Sequence, residues 1–576
     1  MDTSLREGPV PAARCARMAS VLLAAAAIAG PATPAQTAGN DDPAAMIALF
    51  EEFLDWRDPE PGPDGLTDYS SAAVDRRRAG LQRFQQRLET MDITDWTRAQ
   101  QVEFLAARSH MDREAFTLYV TQPWKRDPVF YVDRIQRVAF TELPVRGNEL
   151  EELRASLQAI PALVETAQAN LTDVAGDFAL RALFNLTRSD GVGADQPYRA
   201  VPPQGTIGWY GDLLDRAHRQ QPELVEHIEL ARDAVRSFHG WLEDNRARFT
   251  AQNGVGEELL DWFIWNVEYL PYTSEEMLRL AHRELQRTRS FLVLERHSNR
   301  ELPQIELPGS ADEYHERLTI ADRRIRRWID EQDVISVPDY IPTTWQDAAG
   351  DNVPFILRPE GPNFWEHVQF REPTPDHLHF VIPGHRYDTD VQERLWGDHP
   401  IRNITYGSRY QGWALYLEEM SIPAGLLDAE PRVRELIYVF SLWRAARTIG
   451  DIHNQRNDWT VRETHDFWIE STPWMDEGVA HRYSHLRASP GHGLEYTIGM
   501  IEMYRLLSDR AQQLGEDFVL KEFHDEFISR GPLPISLIRY EMTGFDDDVS
   551  RFWNRTPLSE VLRRSNAAAA VSENRR

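Results

Sequence analysis

Cysteine is all but missing. The one cysteine, Cys15, lies ahead of an apolar stretch in the first forty residues, so a chain processed after that stretch has no thiol nucleophile, disulfide or thiolate metal site. Any metal must then rest on His, Asp or Glu. Long apolar runs are missing as well: none beyond the N-terminus reaches the roughly 18 to 20 apolar residues that a bilayer requires. Positive charge is in deficit, with 63 Lys and Arg against 91 Asp and Glu. The resulting formal net charge of −28 opposes binding to phosphate backbones and anionic membranes. Nucleic acid and, after signal cleavage, membrane are excluded as partners; a peptide or small-molecule substrate is expected, and the oligomeric state is left open. There is no internal repeat of fixed period and no long low-complexity linker.

What is present begins with a processing signal over residues 1–39. Arg6, Arg14 and Arg17 form a basic region, Ser20 to Gly30 an apolar one, and Ala32-Thr33-Pro34-Ala35 a small-residue cleavage site. The mature protein is therefore expected to be exported, periplasmic or extracellular. Residues 40–566 read as one large helical body with an N-terminal half of about 40–270 and a site-bearing half of about 271–566, followed by a frayed tail at 567–576. Helical period runs through 44–56, 78–91, 148–170, 211–247, 430–450, 495–515 and 517–529. Thr273-Ser274-Glu275-Glu276 has the form of a capping box, followed by an apolar stripe of Leu278, Ala281, Leu285 and Leu292. Strand-like alternation is confined to Val353–Leu357 and His377–Ile382. The expected fold class is mainly α with a small β element.

Chemistry concentrates where helical period fades, between Pro338 and Pro400. There His377-Leu378-His379-Phe380-Val381-Ile382-Pro383-Gly384-His385 is followed by Asp388, Asp390 and His399. Neutral imidazoles and carboxylates are donors that zinc and manganese accept. Equally, a His-rich loop caps backbone groups without binding metal. The next segment, Tyr410 to Glu419, sets Gln411, Leu415 and Glu418 on one face if helical, with Gln411 and Glu418 about 10 Å apart at about 1.5 Å rise per residue. Trp413, Leu417 and Met420 would face the core. Taken alone, Glu418 reads as a solvated surface carboxylate.

The order of motifs is more specific than any one of them. H-x-x-x-P-G-H at 379–385 is followed by G-W-A-L-Y-x-E at 412–418, then by Arg447 and Asp451. Arg482, Ser489-Pro490 and Tyr496-Thr497-Ile498-Gly499 come next, and Phe523-His524-Asp525 precedes Gly531-Pro532-Leu533-Pro534. Together they resemble the bacterial family called domain of unknown function 885, over essentially the mature chain. The resemblance implies a helical zincin-like body, of the oligopeptidase or carboxypeptidase kind, with a central cleft, and peptide hydrolysis with a divalent metal, zinc first, as cofactor.

The resemblance also assigns roles. His379, His385 and Gln411 take the places of metal ligands; Glu418, Arg482 and Tyr496 those of catalytic groups, with Arg482 anchoring a substrate carboxylate and Tyr496 donating to an oxyanion. His377, Phe380, Asp388, Asp451, His453 and Gln455 are further cleft candidates. Three positions depart from the family pattern. Phe380 stands where the family's H-E-A-Y-P-G-H places a glutamate base, and a benzyl group accepts no proton. Gln411 replaces the glutamate of E-G-W-A-L-Y, leaving a neutral amide. Gln455 occupies the histidine position of D-T-G-L-H, whose aspartate is Asp451, with His453 two residues earlier.

Two main readings follow. In the first, the protein is an exported metallopeptidase-like hydrolase acting on peptides or related amides, with a rearranged ligand set and reduced or lost activity. In the second it is a catalytically degenerate binding protein for a peptide or small acid. A third reading runs acid/base hydrolysis without metal, through Glu418 and Asp451.

Overall fold

In a computed structural model, residues 42–57, 67–189, 197, 199, 201–348, 355–356, 358–359, 361–484 and 490–573 are described. They form helices joined by turns and by longer irregular segments such as 299–310 and 332–344. The largest core runs from Met46 near one end to Phe552 near the other, and a second apolar cluster, from Leu260 to Ile498, fills the C-terminal half.

Most helices lie where apolar periodicity puts them. Pro43–Arg57, Asn148–Asn170, Pro431–Gln455, Glu495–Leu514 and Leu520–Ser529 match their expected spans closely. The capping box forms: the Thr273 hydroxyl accepts from Glu276 N at 3.2 Å and the Glu276 carboxylate from Thr273 N at 2.8 Å, which starts the Ser274–Ser298 helix. The 211–247 stretch is two helices, Gly205–Gln220 and Val225–Asn245, because Pro222 cannot continue the first and opens a short 3-10 turn.

The small β element is corrected. Among the described residues there is no strand, only one isolated parallel bridge between Ala175 and Ala251. His377–Phe380 belongs to the Thr374–Phe380 helix, with Pro375 in its first turn. His377, Leu378 and His379 are all buried there, so a run with no wet face imitates strand alternation. Phe355 and Ile356 adopt no regular structure, and the rest of Val353–Leu357 lies outside the described residues. The Pro338–Pro400 stretch is likewise more helical than its composition implies, holding Phe364–Gln369, Thr374–Phe380 and His385–Trp396. A second capping box, Asn363 with Glu366, starts the first of these.

Two helix pairings build the C-terminal half: Ser274–Ser298 against Pro431–Gln455, and Gly407–Met420 against Glu495–Leu514. The second pair is very close. A Cβ on Gly412 would lie 2.5 Å from the Gly499 carbonyl carbon, and one on Gly499 would lie 2.1 Å from Ser408 O. Glycine at both positions lets two backbones touch, which fixes the helix bearing Gln411 and Glu418. Most of the ion pairs that bind the body use arginine; of 63 basic residues only Lys125 and Lys521 are lysines.

Candidate functional site

The paired histidines are brought together by a tight turn. A Cβ on Gly384 would lie 2.0 Å from His379 O, so only glycine lets the chain fold back across the end of the 374–380 helix. The turn returns His385 to His379, with ring centroids 4.6 Å apart and ring planes at 81°. Tyr410 stacks on the His385 ring at 3.6 Å and 4°, and Phe380 meets it edge-on at 6.5 Å.

The 407–420 helix supplies the partners of both rings. His379 Nδ1 and Glu418 Oε1 share a hydrogen bond at 2.6 Å, and Arg444 Nη2 donates to the same oxygen at 3.2 Å. His385 Nε2 donates to Gln411 Oε1 at 3.1 Å. Every residue of this helix except Tyr410 is buried, so Glu418 is no surface carboxylate: its side chain is fully buried. Burial pushes its carboxyl up to about 8, against the pull of Arg444 and with help from the nearby Asp376 charge. Glu418 Oε2 has no hydrogen-bond partner among the described residues.

The third side is built on the 431–455 and 495–514 helices. Tyr496 is buried with its ring 6.4 Å from that of His379, and the Arg447 guanidinium lies over it at 4.7 Å. Asp451 accepts from Gly493 N at 3.1 Å, and Thr448 donates to Gly493 O at 2.7 Å, which staples the segment before the 495–514 helix onto the 431–455 helix. That staple sets the His492 ring 5.9 Å from Tyr496. Burial raises the Asp451 carboxyl, opposed first by His492. Glu495 packs against Gly407, the first residue of its helix, where the positive end of the helix dipole lies.

Several expected residues serve other contacts. His377 pairs with Asp322 at 2.9 Å, buried, and joins the 374–380 helix to the Ala311–Glu331 helix. Asp388 is held by both Nη atoms of Arg409 at 2.9 Å each, in a pair almost wholly removed from water. His453 stacks on Trp459 at 4.1 Å and contacts Asp458 at 3.2 Å. Gln455 is buried against the turn before Glu257, its carbonyl accepting from Gly256 N at 2.8 Å. Arg482 sits on the Glu477–Ser484 helix, and its side chain lies outside the described residues. The structure thus gathers His379, His385, Gln411, Glu418, Tyr496 and Phe380, reaches Asp451 only through Gly493 and His492, and leaves His377, Asp388, His453 and Gln455 elsewhere.

Arg444, Tyr410 and His492 were not singled out from sequence. Arg444 had a signal: it stands three residues before Arg447 and seven before Asp451, on one face of a helix. Among the described residues, no group of three His, Cys, Asp or Glu is arranged to hold a metal ion.

Fold and site define the class: a many-helix body whose C-terminal half closes around a buried pair of histidines and their polar partners. The chain belongs to the family described as bacterial protein of unknown function, DUF885, whose model matches residues 58–324 and 376–542. Its fold is similar to that of a candidate lipoprotein of unknown function from Shewanella oneidensis, at 16% identity over 87% of this chain and 99% of that one, TM-score 0.64. A candidate lipoprotein from Colwellia psychrerythraea is similar too, at 16% identity over 89% and 99%, TM-score 0.61. No curated protein matches the chain.

Proposed function

We propose that this is an exported, catalytically altered member of a peptidase-like family, working as a binding protein for a peptide or small acid. The observation that carries the reading is the side-chain pairing of His385 with Gln411. A catalytic zinc site takes three protein ligands drawn from His and carboxylate and keeps one position open for water. Here His385 Nε2 is turned to a neutral amide, Glu418 is shared between His379 and Arg444, and Phe380 brings no proton acceptor. The set fits a hydrogen-bonded cluster better than a metal centre. Phe380, Tyr410 and His492 are half-buried and mark where the cluster approaches solvent.

The hydrolase reading is favoured by one feature. The His379–Glu418 pair at 2.6 Å, in a buried setting that raises the carboxyl to about 8, is suited to moving a proton near neutral pH. Export is supported by the basic and apolar N-terminal regions. The two similar structures are of candidate lipoproteins, but residues 16–576 of this chain offer no cysteine to accept a lipid.

Elemental analysis of the purified mature protein separates the readings. The binding protein is expected to hold far less than one zinc or manganese per chain, whereas Phe380→Glu with Gln411→Glu raises metal content and peptide hydrolysis together. About one zinc per wild-type chain, lost with activity in His379→Ala, would instead establish the metallohydrolase.

A further inference from the structure

The 431–455 helix turns Arg444 toward the histidine cluster. Leu442, nearly half a turn round the same helix, lines a separate cavity of about 360 Å³. Its other walls are the 274–298 helix and the segment 469–475. The volume lies at the small end of ligand pockets and equals about a dozen water-sized groups.

Its chemistry is mixed in a particular way. Arg289 and Arg296, seven residues apart on one side of their helix, flank Val293, which is 61% exposed. Arg289 has no ion-pair partner among the described residues, and Arg296 is ion-paired with Glu435 at 3.8 Å. Glu470 also lines the cavity and is exposed; the charged side chains of the lining are thus two cations and one anion, with Glu435 behind Arg296, in a protein of net charge −28. Leu292 and Met475 give the wall an apolar floor.

Trp474 closes one side and is held there. Its indole packs on the neighbouring His367 ring, at 5.7 Å and 15°, and Arg371 guanidinium, at 5.0 Å, and remains 39% exposed. Its backbone has φ of +62°, a conformation costly for a residue with a side chain and kept only where surroundings impose it. Beside it Thr472 is buried, and its hydroxyl has no hydrogen-bond partner among the described residues.

We propose that this cavity binds a small arylalkyl carboxylate, its anion between Arg289 and Arg296 and its ring against Trp474. A free aryl acid and the C-terminal aromatic residue of a peptide share that chemistry. The site is independent of the His379 cluster and of whether that cluster turns over a substrate.

Isothermal titration of the intact mature protein with 4-phenylbutyrate, and separately with the peptide Gly-Gly-Phe, tests the proposal. At least one probe is expected to bind saturably at one site, the tighter one giving the source. Arg289→Gln with Arg296→Gln, both exposed, weakens that probe at least about tenfold, and the neutral analogue 4-phenylbutanol binds wild type at least about tenfold more weakly than the acid. Arg279→Gln, on the same helix outside the cavity, leaves affinity unchanged. The proposal is overturned if neither probe saturates at millimolar concentration, if the paired substitutions leave affinity intact, or if acid and alcohol bind alike.

Discussion

Asp388 follows a histidine motif by three residues and is acidic, so sequence presents it as a metal donor; its neighbour in space makes it a strut. Arg409, twenty-one residues on, takes both its oxygens inside the protein. Removing one member of such a pair leaves a bare buried charge, so Asp388→Asn is expected to cost about 3–5 kcal/mol. A fall in the urea midpoint with unchanged slope would register it. Spacing along a chain ranks residues by type, and it does not see the partner that neutralises them. His379 and Glu418 were legible because the motif order named both, whereas their 2.6 Å contact was not.

Glu502 carries a second residue-scale expectation. Burial, opposed first by Arg505, lifts its carboxyl to about 7, with Tyr272 donating to it. An acid whose folded pKa is raised holds its proton more tightly when folded. Its stabilisation is full below the ordinary carboxylate range and is lost as pH rises through about 7. Glu502→Gln keeps an acceptor for Tyr272 and cannot ionise, so its melting temperature should gain on that of wild type between pH 5 and 8. Parallel curves would show that Glu502 does not titrate in this window.

At the scale of elements, the contact between the 407–420 and 495–514 helices is made by what is missing from it. Gly499→Ala places a methyl within 2.1 Å of Ser408 O, a backbone atom that cannot swing aside. We expect a loss of about 1–3 kcal/mol or more, read as a lower denaturant midpoint, together with a shift of the Gln411 and Glu418 side chains that the helix carries. A loss confined to a few tenths would mean that the helices separate at little cost. Helix spans were largely readable because apolar spacing repeats over many turns. The errors fell where tertiary burial erased the pattern: the buried 377–379 run looked like strand, and the 407–420 helix, expected to show two faces, is buried on all sides but Tyr410.

At the scale of the whole molecule, charge is arranged by type of cation as well as by sign. Nearly every basic side chain is a guanidinium, and the internal pairs at Arg402, Arg409, Arg444 and Arg539 all use it. A guanidinium stays protonated at any pH a folded protein meets, while an ammonium group is discharged near pH 10. The cationic half of the ionic framework is thus invariant, and carboxyls such as Glu502 and imidazoles such as His524, which burial holds down near 4, set the response to pH up to the range where tyrosines ionise. The same composition leaves amine-directed chemistry very little to act on: acetylating, cross-linking and Schiff-base reagents meet only Lys125 and Lys521 among 576 side chains.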